Sequence, residues 1–331
     1  RKSRFEQQAY TGLPAVGTVS GGFRIDPDLF AGHPGIPRSF TEVEGVTVTF
    51  DHRFDDVWSF NVKSRWSRSG FDQKSQGPTS GIPDGFFGPT NFQLVDVDMV
   101  QKQQEFSVNP NLQARFEAGP TRNVLLLGAD YSRSTDRGRM DTNFGGYFTG
   151  LLPELDVLNP VFTTPYADPD PTSPLFFPFF IFDTVYKTKG VYGQLQTTLY
   201  DRIHLLGGVR WANLDVEYQE DALLVPQTFT VDESKVLPRA GVVVDIFNGL
   251  SVYASYSEGM RWAGFNQALD VKPEFHESRE AGIKFKLANQ LSGTIAVFDI
   301  ERSNMPTVIG GFVAALTDQR SRGFETDLIW Q

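Results

Sequence analysis

An all-β fold, an antiparallel β-barrel that crosses a membrane, is what three features of this sequence predict. Segment after segment alternates apolar and polar residues with period two, so each carries one greasy face and one polar face. Tight turns alternate with long Gly-, Pro- and Ser-rich loops, which places all the turns at one rim and all the loops at the other, as in transmembrane barrels. About eleven such segments are present, several of 10–13 residues, which is long for a soluble sheet and suits a tilted membrane crossing.

The first 40 residues are rich in Gly and Pro and predict irregular loop. Residues 43–54 are the first strand, with Val46, Val48 and Phe50 opposite Thr47, Thr49 and Asp51. Asp55-Asp56 turns the chain into 57–68, VWSFNVKSRWSR, where Trp58, Phe60, Val62 and Trp66 oppose Ser59, Asn61, Lys63 and Arg65. After a loop over 70–91 comes 97–117, where Phe106, Val108, Leu112, Ala114 and Phe116 oppose Ser107, Asn109, Asn111, Gln113 and Arg115. Pro110 on the apolar side predicts a bulge or kink. Gly119-Pro120 leads into 123–133, and 134–187 is the longest unpatterned stretch. A loop above roughly 15 residues is usually functional or disordered.

Residues 190–200 pair with 203–218 across Asp201-Arg202, and a loop at 219–234 precedes 239–247. Asn248-Gly249 is the strongest short hairpin signal in the chain and leads into 250–258. A loop over 260–275 precedes 277–287, which turns at Ala288-Asn289 into 291–302, and the last strand is 320–330.

Composition limits function. With 30 basic against 40 acidic residues the net charge is −10, and the basic stripe that a nucleic-acid partner needs is missing. Zero cysteines exclude a disulfide scaffold and thiolate metal sites. Mean hydropathy is −0.26, and no apolar run approaches the roughly 18–20 residues of a membrane helix. A barrel escapes that test, because lumen residues dilute the lipid-facing ones. Glycine (31) and aromatics (13%) are both abundant, which suits twisted strands, turns and interfacial girdles.

Alternation alone leaves open which face is inside, since a soluble barrel or sandwich buries its apolar face. Strand length and polarised loops favour a membrane, as do Trp58, Trp66, Trp211 and Trp330 near the ends of the apolar face. Phe60, Val62, Val242, Val244, Ile283 and Phe324 are then expected to face lipid, and Asn61, Lys63, Lys284 and Glu325 the lumen. A register slip that put Arg65 or Lys284 in mid-bilayer would cost about 2–4 kcal/mol each.

No catalytic constellation is present: there is no G-x-S-x-G elbow, phosphate-cradling glycine loop or H-E-x-x-H. His33, His52, His204 and His276 lie in separate elements without ligand spacing, so no metal held by side chains is expected. The pairs Asp299/Glu301 and Glu325/Asp327 invite an acid–base reading, but a water-filled lumen explains i, i+2 carboxylates on a polar strand face. Lys284/Lys286 and Arg320/Arg322 are candidate partners for such acids or for a plug. The patch 175–182, LFFPFFIF, is either an aromatic wall for a chelate or a packed loop or strand end.

Several blocks resemble a known family. Residues 237–264, LPRAGVVVDIFNGLSVYASYSEGMRWAG, are similar to the barrel signature of TonB-dependent siderophore receptors. So are 277–306, ESREAGIKFKLANQLSGTIAVFDIERSNMP, and 318–328, DQRSRGFETDL. The first half agrees through GLPAVGTVSGG, FDHRFDDVWSFNVKSRWSRS and NVLLLGADYSRS, in the manner of the ferric-hydroxamate (ferrichrome-type) branch, most weakly over 144–185. The resemblance implies that residues 1–331 are the central part of a 22-stranded outer-membrane barrel. The N-terminal plug, the TonB box and the C-terminal strands are expected outside this stretch.

It implies import of a ferric siderophore, with TonB, the receptor's own plug, lipid and lipopolysaccharide as partners. The iron would stay in its chelator, with no cofactor on protein side chains. Tyr147, Phe176, Phe177, Trp262 and Phe265 are the expected ligand contacts. Cobalamin, haem or glycan receptors and passive porin-type channels are the alternatives.

Overall fold

Thirteen strands form one antiparallel sheet among the described residues, and almost every strand pairs with the next in the chain. They are β1 (Lys2–Gln7), β2 (Ser39–Arg53), β3 (Trp58–Pro78), β4 (Asn91–Ala118), β5 (Thr121–Thr142), β6 (Glu154–Asp156) and β7 (Phe177–Leu199). Then come β8 (Ile203–Asp221), β9 (Gln227–Phe247), β10 (Leu250–Arg261), β11 (Glu274–Leu287), β12 (Leu291–Ile309) and β13 (Phe312–Trp330). β6 alone leaves the path and pairs with the tip of β4. This computed structural model describes residues 1–9, 11–78, 88–221, 226–262, 272–287, 290–309 and 312–330.

The registers carry one apolar face across the sheet. Trp66 faces Val46 and Phe106, and Leu112 faces Phe60 and Leu127. Trp211 faces Val191 and Val236. Val242, Ala254, Ala281, Val297 and Phe324 follow in one row. These side chains are bare: Val48 is 61% exposed, Val297 59% and Phe324 77%. So wide an uncovered apolar surface is unsuited to water and suited to lipid. On β4 the apolar stretch from Phe106 to Phe116 covers about 33 Å of strand. At a tilt near 40° that is about 25 Å of height, the thickness of a barrel's apolar band.

The opposite face is a polar wall. Asn61 donates to Asp51, Asn111 to Asn61 at 3.3 Å, and the Tyr192 hydroxyl to Asn109 at 3.2 Å. Arg210 grips Asp130 with both terminal nitrogens. Lys284 sits 4.8 Å from the centre of the Tyr253 ring. The Tyr192 and Tyr253 rings lie flat over Gly128 and Gly282, where a Cβ would come within 2.3 and 2.8 Å of them. Glycine opposite an aromatic lets the ring hug the sheet and leaves the space in front of it open.

Every predicted strand is present, but the strands run much further toward the loop rim than alternation showed. β3 and β4 stay paired from Trp58–Ala114 up to Pro78–Leu94. β5 continues to Thr142 and β7 begins at Phe177, so much of the supposed loop 134–187 is strand, with a 3₁₀ turn at Phe144–Thr149 and β6. LFFPFFIF enters β7 at its third residue, Phe177. The loop expected over 219–234 is mostly β8 and β9, and β1 lies within the first 40 residues, where only loop was expected. The reason is physical. Above the bilayer both faces meet water, so hydrophobic alternation disappears while backbone pairing persists.

The same reason corrects the placement of Asp299 and Glu301. They share the face of Ile295 and Val297 rather than the lumen face, above the apolar band, where Arg320 and Arg322 pair with them.

Two turns depart from expectation. Gly249 has φ 93 while Asn248 is not in the left-handed region, and the register slips between Leu250 and Ser251. That fits a type I turn with a glycine bulge rather than the mirror-image turn Asn-Gly usually marks. The β7–β8 turn centres on Tyr200 and Asp201, both left-handed at φ 52 and 57, one residue earlier than predicted.

Residues 11–36 and 150–168 fold onto the tips of β3 and β4 around a separate apolar core of Ile25, Ala31, Phe92, Leu94, Leu155 and Val157. Buried Asp96 anchors it, accepting from Gln76 at 2.8 Å and from Asn143 at 3.2 Å. Burial pushes the Asp96 carboxyl above its ordinary range, against the pull of the Gln76 bond. Lys74 bridges Asp98 at 3.0 Å and Asp168 at 2.6 Å, which ties the long β5–β7 connection to the sheet.

Candidate functional site

Above the apolar band, β7, β8 and β9 bring an aromatic cluster together on the polar-wall face. Strand parity puts Tyr186, Leu214, Val216, Tyr218, Phe229 and Val231 on the side that carries Tyr192 and Arg210 lower down. Leu214, Val216 and Val231 are buried beneath it, with Tyr186, Phe229, Met260 and Trp262 packed against them. Tyr218 and Phe229 are register partners across the β8–β9 connection, and their rings stack at 4.7 Å and 20°. Trp262, just past the end of β10, leans on Phe229 at 5.9 Å.

The polar groups of the cluster are donors. The Tyr218 hydroxyl donates to Glu220. Burial, and then that bond, push the Tyr218 phenol well above its ordinary range. Burial raises the Tyr186 phenol too, with neighbouring Asp136 adding to the rise and Thr184 opposing it. Both therefore stay protonated at neutral pH. The Trp262 indole nitrogen is buried near Tyr186 yet makes no well-formed hydrogen bond. The site thus offers ring faces and neutral N–H and O–H donors, a surface suited to a compact, half-apolar ligand.

A second aromatic group runs up β7. Tyr147 stacks on Phe144 at 5.0 Å and 7°, and Phe144 meets the edge of Phe177 at 5.8 Å. Phe179, Phe180 and Phe182 continue the series at 5.7–6.2 Å spacing. Of the five residues expected from sequence, Tyr147 and Phe177 are therefore brought together through Phe144. Trp262 belongs to the other cluster. Phe176 is fixed by its backbone N–H to Ser173 at 3.1 Å, and Phe265 lies outside the described residues. Sequence reasoning missed Tyr186, Tyr218 and Phe229. The β8–β9 hairpin register, extended upward from Ile203–Val244, would have paired Tyr218 with Phe229.

Glu274 closes the top of β10–β12. Its buried carboxylate accepts from Arg261 at 2.8 Å and Arg302 at 2.7 Å. Burial alone would raise its pKa, but the two guanidiniums outweigh it and hold the group below its ordinary value of 4.5. Among the described residues no group of His, Cys, Asp and Glu is arranged to hold a metal ion.

Comparison with known proteins agrees with this geometry. The family model described as TonB dependent receptor-like, beta-barrel matches residues 2–331. The ferrichrome outer membrane transporter/phage receptor of Escherichia coli K12 is 28% identical over 360 residues, covering 98% of this chain and 46% of that protein. The ferric-pyoverdine M114 receptor PbuA of Pseudomonas sp. strain M114 is 27% identical over 250 residues, covering 70% and 28%. Among solved structures, the closed form of the ferric-catecholate import receptor Fiu from E. coli K12 superposes with a TM-score of 0.76 at 16% identity. That likeness is one of fold, and covers 99% of this chain and 52% of the other. The chain spans less than half the length of these curated relatives.

Proposed function

This chain belongs to the TonB-dependent receptor β-barrel family, and from that premise we propose that it serves an outer-membrane receptor which binds a ferric siderophore at the cell surface and imports it with energy delivered through TonB. The observation that carries the reading is the aromatic cluster of Tyr186, Tyr218, Phe229 and Trp262, raised above the apolar band on the lumen face. The relatives' names, receptors and transporters for ferrichrome and ferric pyoverdine, support the same ligand class. Tyr186, held as a phenol, offers a hydrogen bond, and Tyr218, whose proton is already given to Glu220, offers its ring face. Neither offers a phenolate ligand, so the iron remains with its chelator and the role is transport rather than catalysis. Tyr147 and Phe177 belong to a second aromatic surface that the same ligand meets on entry, and Phe176 and Phe265 are proposed as further contacts.

On this reading a plug domain occupies the lumen, and further strands pair with the two open edges. A closed barrel has no edge, whereas β1 and β13 each present one among the described residues. An unpaired backbone group in lipid costs several kcal/mol. Lipid chains cover the outer face, where Gly207, Ala240, Ala254 and Ala281 floor a shallow groove walled by Leu205, Val242 and Val297. Arg279 lines its upper end, Arg322 pairs there with Asp299, and both are proposed to meet lipopolysaccharide phosphates.

The test is uptake of radioactive iron, presented as ferric siderophores, into iron-starved cells carrying the complete receptor. TonB-dependent accumulation is expected. Trp262→Ala should weaken chelate binding about tenfold, in line with loss of one aromatic anchor. Uptake that continues without TonB, or fails for every ferric chelate, contradicts the proposal.

A further inference from the structure

The charge of this chain is not spread evenly. Residues 90–105, 133–189 and 212–236 hold 16 Asp and Glu against 7 Lys and Arg, which is nine of the ten net negative charges. These segments are the loop-rim halves of β4, β5, β7, β8 and β9 with their connections, and they contribute Tyr186, Tyr218 and Phe229. The rest of the chain is close to neutral.

Strand parity turns part of this charge toward the aromatic cluster. Asp136 lies opposite Thr184 on the face of Tyr186, close enough to act on the Tyr186 phenol. Both its oxygens accept from the neutral Gln101 amide, at 2.8 and 2.9 Å, which orients the carboxylate without cancelling its charge. Glu233 lies on the face of Phe229 and Val231 in β9. The one lysine on that face nearby, Lys235, is turned to Glu258 at 3.1 Å and to the Phe275 ring.

Resting on the siderophore reading, we infer that the acidic mouth selects ferric chelates by charge, admitting neutral or cationic ones and rejecting anionic ones. The chemistry of iron chelation gives the choice its meaning. Ferric iron held by three hydroxamates is neutral, or cationic when the chelator carries a free ammonium, whereas iron held by three catecholates is triply anionic. Like charges brought together at a partly desolvated mouth repel, and the field over the rim slows the approach of an anion before contact. The neutral donors and ring faces of the cluster suit an uncharged chelate, and no cation there awaits an anionic one among the described residues.

The experiment is a binding titration on the complete receptor in lipid nanodiscs, read by tryptophan fluorescence. Three ferric probes are compared: a neutral cyclic trihydroxamate, a linear trihydroxamate with one free ammonium, and a tris-catecholate. At low salt the two hydroxamates should bind at least about 100-fold more tightly than the catecholate, and the gap should narrow as salt screens the mouth. The double variant Glu105→Gln, Glu233→Gln removes two carboxylates of the cluster face, Glu105 lying opposite Ser134 and so in line with Tyr186, and should improve catecholate binding about fivefold while moving the neutral probe less than about twofold. Catecholate binding equal to that of the hydroxamates, or a gap indifferent to salt and to the variant, overturns charge selection and leaves the receptor reading standing. Failure of all three probes to bind removes that reading and this inference together.

Discussion

At the scale of single residues, Glu274 and Tyr200 carry the clearest expectations. Glu274 joins Arg261 and Arg302 across three strands from a buried position. Its carboxyl is held below its ordinary value of 4.5, so its contribution is fully present above that pH and is lost as pH falls through the lower folded value. Hydrogen-exchange protection factors, corrected for the intrinsic pH dependence of amide exchange, should therefore be flat at the tops of β10, β11 and β12 from about pH 5 to 8 and fall as the medium is made more acid. Glu274→Gln should produce the loosened state at neutral pH, at a cost of about 1–2 kcal/mol, below the buried-pair range because Arg261 is largely exposed. No change in protection would show that the clamp is idle.

Tyr200 and Asp201 present the opposite case, two side chains in a left-handed turn that suits Asn and Gly. Replacing them with Asn-Gly should raise the denaturant midpoint by the equivalent of about 1 kcal/mol, since left-handed backbone is costly for most residues. Loss of the exposed Arg122–Asp201 pair subtracts little. A lower midpoint would mean that the Tyr200 ring makes contacts that outweigh its strain.

At the scale of elements, the two faces of a strand should respond differently to charge. Ile283 sits between Val252 and Ile295 in the middle of the apolar row, and Lys284, next in the chain, points to the other side. Ile283→Lys should destabilise the folded barrel by about 2–4 kcal/mol, the usual cost of a lysine at the bilayer midplane. Lys284→Gln should cost less than about 1 kcal/mol, the worth of an exposed contact with the Tyr253 ring. Equal penalties would contradict the assignment of faces.

What the sequence reveals about these elements has a physical limit, which is the edge of the bilayer. Lipid on one side and water on the other impose alternation on Val46–Phe50 or Ala281–Ile283, so those stretches are legible. Above the band, GFDQKSQGP in β3 and STDRGRMDT in β5 are strands with no such pattern, held by pairing with neighbours far off in the chain. The candidate site shares this limit. Trp262 is legible as an aromatic beside a loop, but Tyr186, Tyr218 and Phe229 become its neighbours only through cross-strand register. With the predicted strands beginning only at 190 and 239, that register stops short of Tyr186 and Phe229.

At the scale of the whole molecule, these levels meet in one division of surface. A single sheet presents an apolar band to lipid, a hydrogen-bonded polar wall to the lumen, and an acidic, aromatic rim where the strands leave the membrane. Each property follows from the medium that the surface meets. The separate apolar core of residues 11–36 and 150–168 at the tips of β3 and β4 is the part built like a soluble protein, away from the bilayer.

The measurement that tests this division most directly is site-directed spin labelling of the complete receptor in bilayers, one position at a time along β3 from Phe60 to Asp72. Labels at Phe60, Val62 and Trp66 should be accessible to oxygen dissolved in lipid, and labels at Asn61, Lys63 and Arg65 to a water-soluble nickel chelate. The period-two alternation should fade from Arg68 upward as both faces enter water. If Phe60 reports water and Asn61 reports an apolar surrounding, or if the alternation continues undiminished to Asp72, the strands do not cross a membrane in the way described.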